Sequence, residues 1–488
     1  MVELKKHSSI AWNVIDKMFE DNPNHLIQHH ITSFNTLFTH RIQDIFNDNN
    51  PIRIHKKYDK TTKEYGLKCN LYFGGKEGTK IYYGKPTLHD NDEDNNHLMY
   101  PNEARLKNKT YGFNIYYDID VAISIKKPDG TQENESFTLD KICLGKFPIM
   151  VQSNFCLLNT MPAVNRFYMG ECINDRGGYF IIDGKEKVIV CQEQFANNTI
   201  NVKDDYDDIY SHSCDIRSVS EDSSKPVRVT SVRMLRPTSK WSNGNIVVLI
   251  PNVRKPIPLF IVFRALGVLS DKNILEFCLL NLEKNSAYHE LFIPSIHDAN
   301  YIFTQDNALK FIATFTKHKT IPSVMDILTN YFLPHIGELH FKQKALFIGH
   351  MVFKLLKLYT KVEPPTDRDS FRYKRIETPG LLLYNLFREY YQQMLKNITL
   401  RFDNEFYYKE NSDIYNDANF PNLIKQNYKT FFLESGFSVQ VGFKNAFKGQ
   451  WGSKEYTTKE GIVQDLNRLS FNSALSHCRK INLPIDPT

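Results

Sequence analysis

The stretch DRGGYFIIDGKEKVIV, residues 175–190, decides how the first third of the chain is read. Two strand-like arms, Gly177-Gly178-Tyr179-Phe180-Ile181-Ile182 and Lys187-Val188-Ile189-Val190, flank Asp183-Gly184, and Asp-Gly supplies the positive φ that a tight hairpin turn needs. The same texture runs upstream. Over residues 57–194 short β-type runs (Leu71-Tyr72-Phe73, Lys80-Ile81-Tyr82-Tyr83, Phe113-Asn114-Ile115-Tyr116-Tyr117 and residues 121–125) alternate with Gly, Pro and Asp, which predicts a mixed sheet. Before it, Trp12, Ile15 and Phe19 share one helical face, and Ile27, Ile31, Phe34, Phe38, Ile42 and Ile45 share another. Asn22-Pro23-Asn24 splits the two, so the first fifty residues read as helix.

Downstream, the acidic stretch Asp204, Asp205, Asp207 and Asp208 precedes new strand-like runs at 227–234 and 246–251, which places a boundary near residue 200. Residues 257–359 are mainly helical. Lys361-Val362-Glu363-Pro364-Pro365-Thr366-Asp367 then reads as a linker, because paired prolines forbid helix. Helices resume at Pro379 and run, with breaks, to about Thr430, and the tail carries a helix-like segment with Ile462, Val463, Leu466 and Leu469. The expected class is α+β and multidomain: a mixed sheet-and-helix body with an inserted α/β lobe.

With 488 residues, 41% hydrophobic and 24% charged, the chain is long enough for two to four domains at roughly 150 residues each. Its net charge of +6 is too small to argue nucleic-acid binding from bulk electrostatics, so any such surface must be local. The eight cysteines are scattered, with no C-x-x-C pair and no Cys/His spacing suited to tetrahedral zinc; a reduced, intracellular setting and no metal site are expected. No signal-type apolar run opens the chain, and the most apolar helix candidate, residues 345–358, is interrupted by His350, Lys354 and Lys357, so no membrane partner is expected. Asn134, Asn197 and Asn397 sit in sequons that read as chance matches without a secretion signal.

Local chemistry is sparse. Asp90-Asn91-Asp92-Glu93-Asp94 has the oxygen-ligand pattern for Mg²⁺, but its polar flanks, His89, Asn95, Asn96 and His97, make it a solvated loop. Asp118 and Asp120 share a strand face without a third ligand. Gly74-Gly75-Lys76-Glu77-Gly78 lacks the Gly-Lys-Ser/Thr of a phosphate cradle and reads as a hairpin turn. Neither a Gly-x-Ser-x-Gly elbow nor a His-Glu-x-x-His pair is present, so no complete active site is legible and no catalytic residue is assigned. The remaining signal is basic. Arg368, Arg372, Lys374 and Arg375 follow the Pro-Pro linker as a backbone contact or domain junction. Lys444, Lys448, Lys454, Lys459, Arg468, Arg479 and Lys480 punctuate the tail, with Trp451, Tyr456 and Phe471 between them. Cations interleaved with aromatics suit a groove that tracks a nucleic-acid backbone, and a solvated charged surface is the competing reading.

Trp451-Gly452, then Gly461-Ile462-Val463-Gln464-Asp465-Leu466-Asn467-Arg468, then Leu475-Ser476-His477-Cys478-Arg479-Lys480 with Pro484 closely resemble the fork region of the second-largest, beta-type subunit of multisubunit DNA-directed RNA polymerases. Further motifs of that family follow in order upstream: Lys146-Phe147-Pro148-Ile149-Met150-Val151, the stretch from Gly170-Glu171-Cys172 to Gln192-Glu193, Val262-Phe263-Arg264-Ala265-Leu266-Gly267, Phe332-Leu333-Pro334-His335-Ile336, and Asp367-Arg368-Asp369-Ser370-Phe371.

The resemblance implies a protrusion formed by residues 1–199 and 369–445, a lobe at 200–368, and the start of a fork at 446–488, the whole forming one side of the DNA cleft. It implies that Gln464, Asp465, Arg468, His477, Arg479, Lys480, Asn482 and Lys454 lie beside nucleic acid, with Arg479 and Lys480 pairing with phosphates irrespective of base. Family members commonly carry two arginines where this chain has Arg479-Lys480, and lysine lacks the planar bidentate fork. Cys478 also stands where other residues are usual. The implied partners are the largest polymerase subunit, the remaining part of the second-largest subunit, the smaller subunits, the DNA template and the RNA–DNA hybrid. Catalytic Mg²⁺ is expected on the largest subunit and Zn²⁺ in the family's carboxy-terminal part, with no cofactor on this chain. That part would follow residue 488. A split gene, an intein or intron, or a truncated sequence would each account for the fork ending there. The implied compartment is the nucleus for a cellular protein, and the virion or host cytoplasm for a large DNA virus. The rival expectation is a stand-alone nucleic-acid-binding or scaffold module without enzymatic activity.

Overall fold

A computed structural model describes residues 2–59, 64–89, 96–126, 131–220, 227–237, 244–299, 301–407, 420–453 and 458–483. Asp90, Asp92, Asp94, Lys454 and Tyr456 lie outside the described residues. The chain is α+β and divides into two compact units: Met1–Gln194 with Ile376–Thr488, and Phe195–Arg375.

The first segment of the split unit opens with helices α1 (Val2–Asp21), α2 (Gln28–Thr36) and α3 (Ile42–Asn49), the last two joined by a π-helical turn at Leu37–Arg41. Strands β1 (Ile52–Asp59), β2 (Glu64–Phe73) and β3 (Ile81–Tyr83) follow, then a small ribbon of β4 (Thr87–His89) and β5 (Asn96–Leu98). Helix α4 (Pro101–Leu106) leads into two long strands, β6 (Gly112–Lys126) and β7 (Gln132–Pro148), and α5 (Ala163–Tyr168) precedes β8 (Phe180–Ile182), β9 (Lys185–Ile189) and β10 (Cys191–Phe195).

Strand β6 organises this segment. It buries Phe113, Ile115, Tyr117, Ile119, Val121, Ile123 and Ile125, every second residue, so one pleated face is continuous core. Strand β7 pairs along one edge of it. On the other edge lie β2, from Leu67↔Ile125 to Phe73↔Ile119, and then β3, from Ile81↔Tyr117. Because β2 and β3 share that edge, the Gly74–Gly78 stretch is a loop that interrupts it rather than the expected hairpin turn. Asp118 and Asp120, on β6, are taken up by protein partners: Tyr82 Oη and the Lys141 N–H donate to Asp118, and Lys80 Nζ and Thr138 Oγ1 donate to Asp120.

The contiguous unit is an antiparallel sheet of β11 (Ile200–Asp204), β12 (Tyr210–Ser218), β13 (Arg228–Leu235), β14 (Ile246–Leu249) and β15 (Ile257–Pro258), in that order. Helices α6 (Leu259–Ala265), α7 (Asp271–Leu279), α8 (His289–Asp298), α9 (Gln305–Ala313), α10 (Ile321–Asp326) and α11 (Phe341–Tyr359) complete it. Helix α6 is buried on all sides, and its Arg264 is held by the carbonyls of Ala299 and Ile302 and by Asp271. Helix α11 buries Ala345, Ile348, Met351, Val352, Leu355 and Leu356, and at Gly349 an added Cβ would stand 2.3 Å from the Phe277 carbonyl oxygen, so only glycine lets α7 pack this closely. The unit's two chain ends meet, with Ala196 N–H donating to the Tyr373 carbonyl at 2.8 Å.

The chain re-enters the split unit through β16 (Lys374–Glu377) and continues as α12 (Pro379–Tyr407), α13 (Phe420–Tyr428), α14 (Glu434–Phe447), β17 (Val463–Asp465), α15 (Phe471–Arg479) and β18 (Ile481–Asn482). Helix α12 buries Leu382, Leu383, Leu386, Phe387, Tyr390, Tyr391, Met394, Ile398 and Phe402, an apolar stripe at helical spacing. It completes the core begun by the first segment. Ring centroids of Phe46 and Tyr391 lie 4.8 Å apart, those of Phe147 and Phe443 4.8 Å, and those of Phe180 and Phe447 4.9 Å. At Gly380 an added Cβ would stand 1.9 Å from the Ser33 carbonyl oxygen, which shows how tightly α12 begins against α2.

Candidate nucleic-acid interface

The tail segment with Ile462, Val463, Leu466 and Leu469, expected to be helical, is instead extended at β17, which adds a third strand to the β8–β9 hairpin. Its register is Val463↔Ile189, Gln464↔Val188 and Asp465↔Lys187. The open edge of β9 supplies ladder hydrogen bonds that outweigh the local helical spacing. Helix α15 begins later, at a reciprocal cap in which Ser470 Oγ accepts from Ser473 N–H at 3.1 Å and Ser473 Oγ accepts from Ser470 N–H at 3.0 Å. Strand β18 then pairs in parallel with β10, Cys191↔Ile481 and Gln192↔Asn482. The tail is therefore stitched to two consecutive strands, β9 and β10.

This arrangement brings most of the tail residues singled out in the sequence onto one edge. Asp465 pairs with Lys187 at 2.5 Å. His477 Nδ1 accepts from the Asn467 N–H at 3.2 Å, which leaves Nε2 protonated and donating to Gln464 Oε1 at 3.0 Å. Burial and then the Lys480 charge lower the His477 pKa below 6.5, so the ring is neutral near pH 7. Gln464 Nε2 and Asn482 Nδ2 both donate to the Gly461 carbonyl, at 3.1 and 3.2 Å. Arg479 gives one N–H to the Leu26 carbonyl at 2.8 Å and is otherwise exposed beside exposed Lys480.

Arg468 is different. Its guanidinium donates to both carboxylate oxygens of Glu186, at 2.7 and 3.0 Å, and to Asp175 at 3.1 Å, and it stacks over the Tyr179 ring. From the far side Arg105 donates to Glu186 at 2.9 Å, to both oxygens of Glu171 at 2.9 Å, and to Tyr179 Oη at 2.7 Å, while Tyr179 Oη donates to Asp175 at 2.6 Å. Burial opposes the charge on Arg105 and on Arg468. The facing Tyr179, Glu171 and Glu186 outweigh it at Arg105, and Glu186, Asp175 and Tyr179 outweigh it at Arg468, so both pKa values stand above the ordinary one. Burial, and then Asp175, push the Tyr179 hydroxyl well above 10. Arg468 thus anchors the tail to the hairpin through paired, hydrogen-bonded charges.

Sequence reasoning assigned no role to Arg105, Glu171, Asp175, Tyr179 or Glu186. Arg105 lies 66 residues from Glu171 and 81 from Glu186, so no linear spacing marks the network. Beneath it, Cys172, Asp175, Tyr179, Arg468, Phe471 and Cys478 help line a cleft of about 130 Å³.

The second basic group belongs to the contiguous unit. Arg368 and Lys374 both stand over the Phe195 ring, at 4.5 and 4.1 Å from its centroid, and Arg372 stands over Tyr373 at 5.7 Å. Arg375 donates to the Arg372 and Lys374 carbonyls, and Phe371 is 88% exposed, so cations and an aromatic face share this surface.

The family model described as "RNA polymerase beta subunit" matches residues 25–424. The chain belongs to this family. It is 32% identical over 493 residues to DNA-directed RNA polymerase II subunit RPB2 of Encephalitozoon cuniculi, covering 99% of this chain and 40% of that protein. It is 32% identical over 488 residues to DNA-directed RNA polymerase II subunit 2 of Arabidopsis thaliana, covering 97% and 39%. Against DNA-directed RNA polymerase subunit Rpo2 of Saccharolobus solfataricus it is 27% identical over 479 residues, covering 96% and 37%. The chain corresponds to the amino-terminal region of these second-largest polymerase subunits and spans about two fifths of their length.

Proposed function

We propose that this chain is the amino-terminal part of the second-largest subunit of a DNA-dependent RNA polymerase and forms one side of the DNA cleft. The reaction is template-directed transfer of a nucleotide to an RNA 3′ end, carried out by the assembly and not by this chain alone. The observation that carries the reading is the family match over residues 25–424, continued to the tail by relatives aligned over nearly the whole chain.

In this reading residues 1–199 and 369–445 are the protrusion, 200–368 the lobe and 446–488 the start of the fork. The largest subunit holds catalytic Mg²⁺. Zn²⁺ belongs to the remaining part of the second-largest subunit, and the smaller subunits, the template and the RNA–DNA hybrid complete the assembly. The setting is intracellular: a nucleus for a cellular enzyme, a virion or host cytoplasm for a viral one.

Arg479 and Lys480 meet phosphates, with Gln464, Asp465, His477, Asn482 and Lys454 alongside. Arg468 acts by holding the tail in place, since Glu186 and Asp175 occupy its guanidinium. Arg368, Arg372, Lys374 and Arg375 offer a second backbone contact. Pull-down from native material tests the assembly: recovery with a largest-subunit partner is expected, and recovery with neither that partner nor a second polypeptide supplying the rest of the subunit overturns the reading in favour of a stand-alone module. In reconstituted enzyme, Arg479→Ala with Lys480→Ala should slow elongation and reduce the salt slope of nucleic-acid binding by about two. An unchanged slope removes the phosphate role.

A further inference from the structure

Three potential metal ligands meet where α2 passes β10. His29 and His30 occupy the first turn of α2, and Cys191 begins β10. One ligand atom from each lies within 4.8 Å of the other two. The His30 and Cys191 side chains are buried, and His29 is on the solvent side of the group. His30 Nδ1 faces the Gly178 carbonyl at 3.3 Å, which places the ring proton on Nδ1. His30 Nε2 lies 3.7 Å from Cys191 Sγ, and the Cys478 carbonyl accepts from the same pair of imidazoles, so metal entry exchanges that contact for a bond to the ion. A backbone carbonyl that fixes the tautomer and orientation of an imidazole is the usual support behind a metal-ligating histidine.

We propose that His29, His30 and Cys191 bind a borderline-soft divalent cation, Zn²⁺, with water in the fourth position. Two imidazole nitrogens and one thiolate are a donor set for tetrahedral zinc, whose bonds are about 2.0–2.1 Å to nitrogen and about 2.3 Å to sulfur. Those bond lengths put adjacent nitrogen and sulfur ligands about 3.6 Å apart, close to the spacing of His30 and Cys191. Binding breaks the S–H bond of Cys191, forms the Zn–S bond and releases one proton to solvent, while both imidazoles enter neutral. The site departs from the absence of metal spacing in the sequence, because residues 29, 30 and 191 converge only in the fold. It lies beside the polymerase surface proposed above, since Cys191 pairs with Ile481, and it does not depend on that role.

The test uses the full chain, reduced and stripped with chelator, then titrated with Co²⁺ as a spectroscopic probe and Zn²⁺ as competitor. One equivalent of Co²⁺ should develop a thiolate charge-transfer band that one equivalent of Zn²⁺ abolishes. Cys191→Ser should remove the band, and His29→Gln, a change on the solvent side, should weaken Zn²⁺ binding at least tenfold with the circular dichroism spectrum unchanged. Absence of the band in the folded wild-type chain, or its full retention in Cys191→Ser, overturns the site. Unchanged Zn²⁺ affinity in His29→Gln overturns the three-ligand set.

Discussion

The two units solve the same packing problem with opposite chain economy. The contiguous unit, Phe195–Arg375, encloses its own core of β11–β15 and α6–α11, and its ends meet at Ala196 and Tyr373. The split unit draws its core from both sides of that insertion: Phe46, Phe73, Phe147 and Phe180 of the first segment pack on Tyr391, Phe432, Phe443 and Phe447 of the second. An inserted unit can depend on local chain contacts. The unit that receives it must pay the closure entropy of a long loop before its apolar surface is covered.

The sharpest way to break this contrast is to cut the chain. Residues 195–375 expressed alone should unfold cooperatively, whereas residues 1–194 alone should show no cooperative transition, because β7 loses its cover of α14 and α2 its cover of α12. A cooperative melt from residues 1–194 would refute the shared core.

A smaller effect isolates the buried charge pair behind the tail's anchor. Arg105→Met leaves the buried carboxylate of Glu171, whose side chain is 5% exposed, without its bidentate partner. The expected loss is about 3 kcal/mol from the split unit, read as a lowered denaturant midpoint, with the transition of residues 195–375 unmoved. Equal shifts in both transitions would show that the two units do not unfold separately.

Acid sharpens the contrast from the other side. In the contiguous unit burial lowers the pKa of His212, His335 and His350 below 6.5. Below pH 6.5 the unfolded chain binds protons that the folded unit refuses, so stability is full above that value and falls as pH drops. Hydrogen bonds from Lys357 and Lys354 hold Glu363 below its ordinary 4.5, adding a loss as pH falls further through its folded value. The melting temperature of residues 195–375 should therefore fall from pH 7 to pH 5, and His335→Gln should flatten the slope. A flat profile in the parent chain contradicts the lowered pKa values of these histidines.

The smallest effect concerns the tail helix. Ser470→Ala removes half of the reciprocal cap on α15 and should cost about 1 kcal/mol, detectable as faster amide exchange across residues 471–479. Unchanged exchange would mean that the cap contributes nothing to the helix.

Legibility followed the range of the interactions. The 175–190 hairpin was readable because Asp183-Gly184 dictates its turn locally, and the β6 core was readable as two apolar runs that the structure joins into one strand. The Gly74–Gly78 loop was misread because glycines that interrupt an edge look, in sequence, like glycines that end a hairpin. The segment at Ile462, Val463, Leu466 and Leu469 was misread because its spacing satisfies a helix while β9 offers an unfilled edge.

The sequence by itself determined the alternation that makes the strands, the stripe that makes α12, and the ordered motifs of the beta-subunit family. Turn chemistry and side-chain periodicity act within a few residues, and motifs survive as linear order. Only the tertiary structure decided that Arg468 is tied to Glu186 and Asp175, that Arg479 and Lys480 keep exposed side chains, and that His29, His30 and Cys191 share one point. Ion pairs and ligand sets depend on distances in space, and chain spacing over a hundred residues does not encode them.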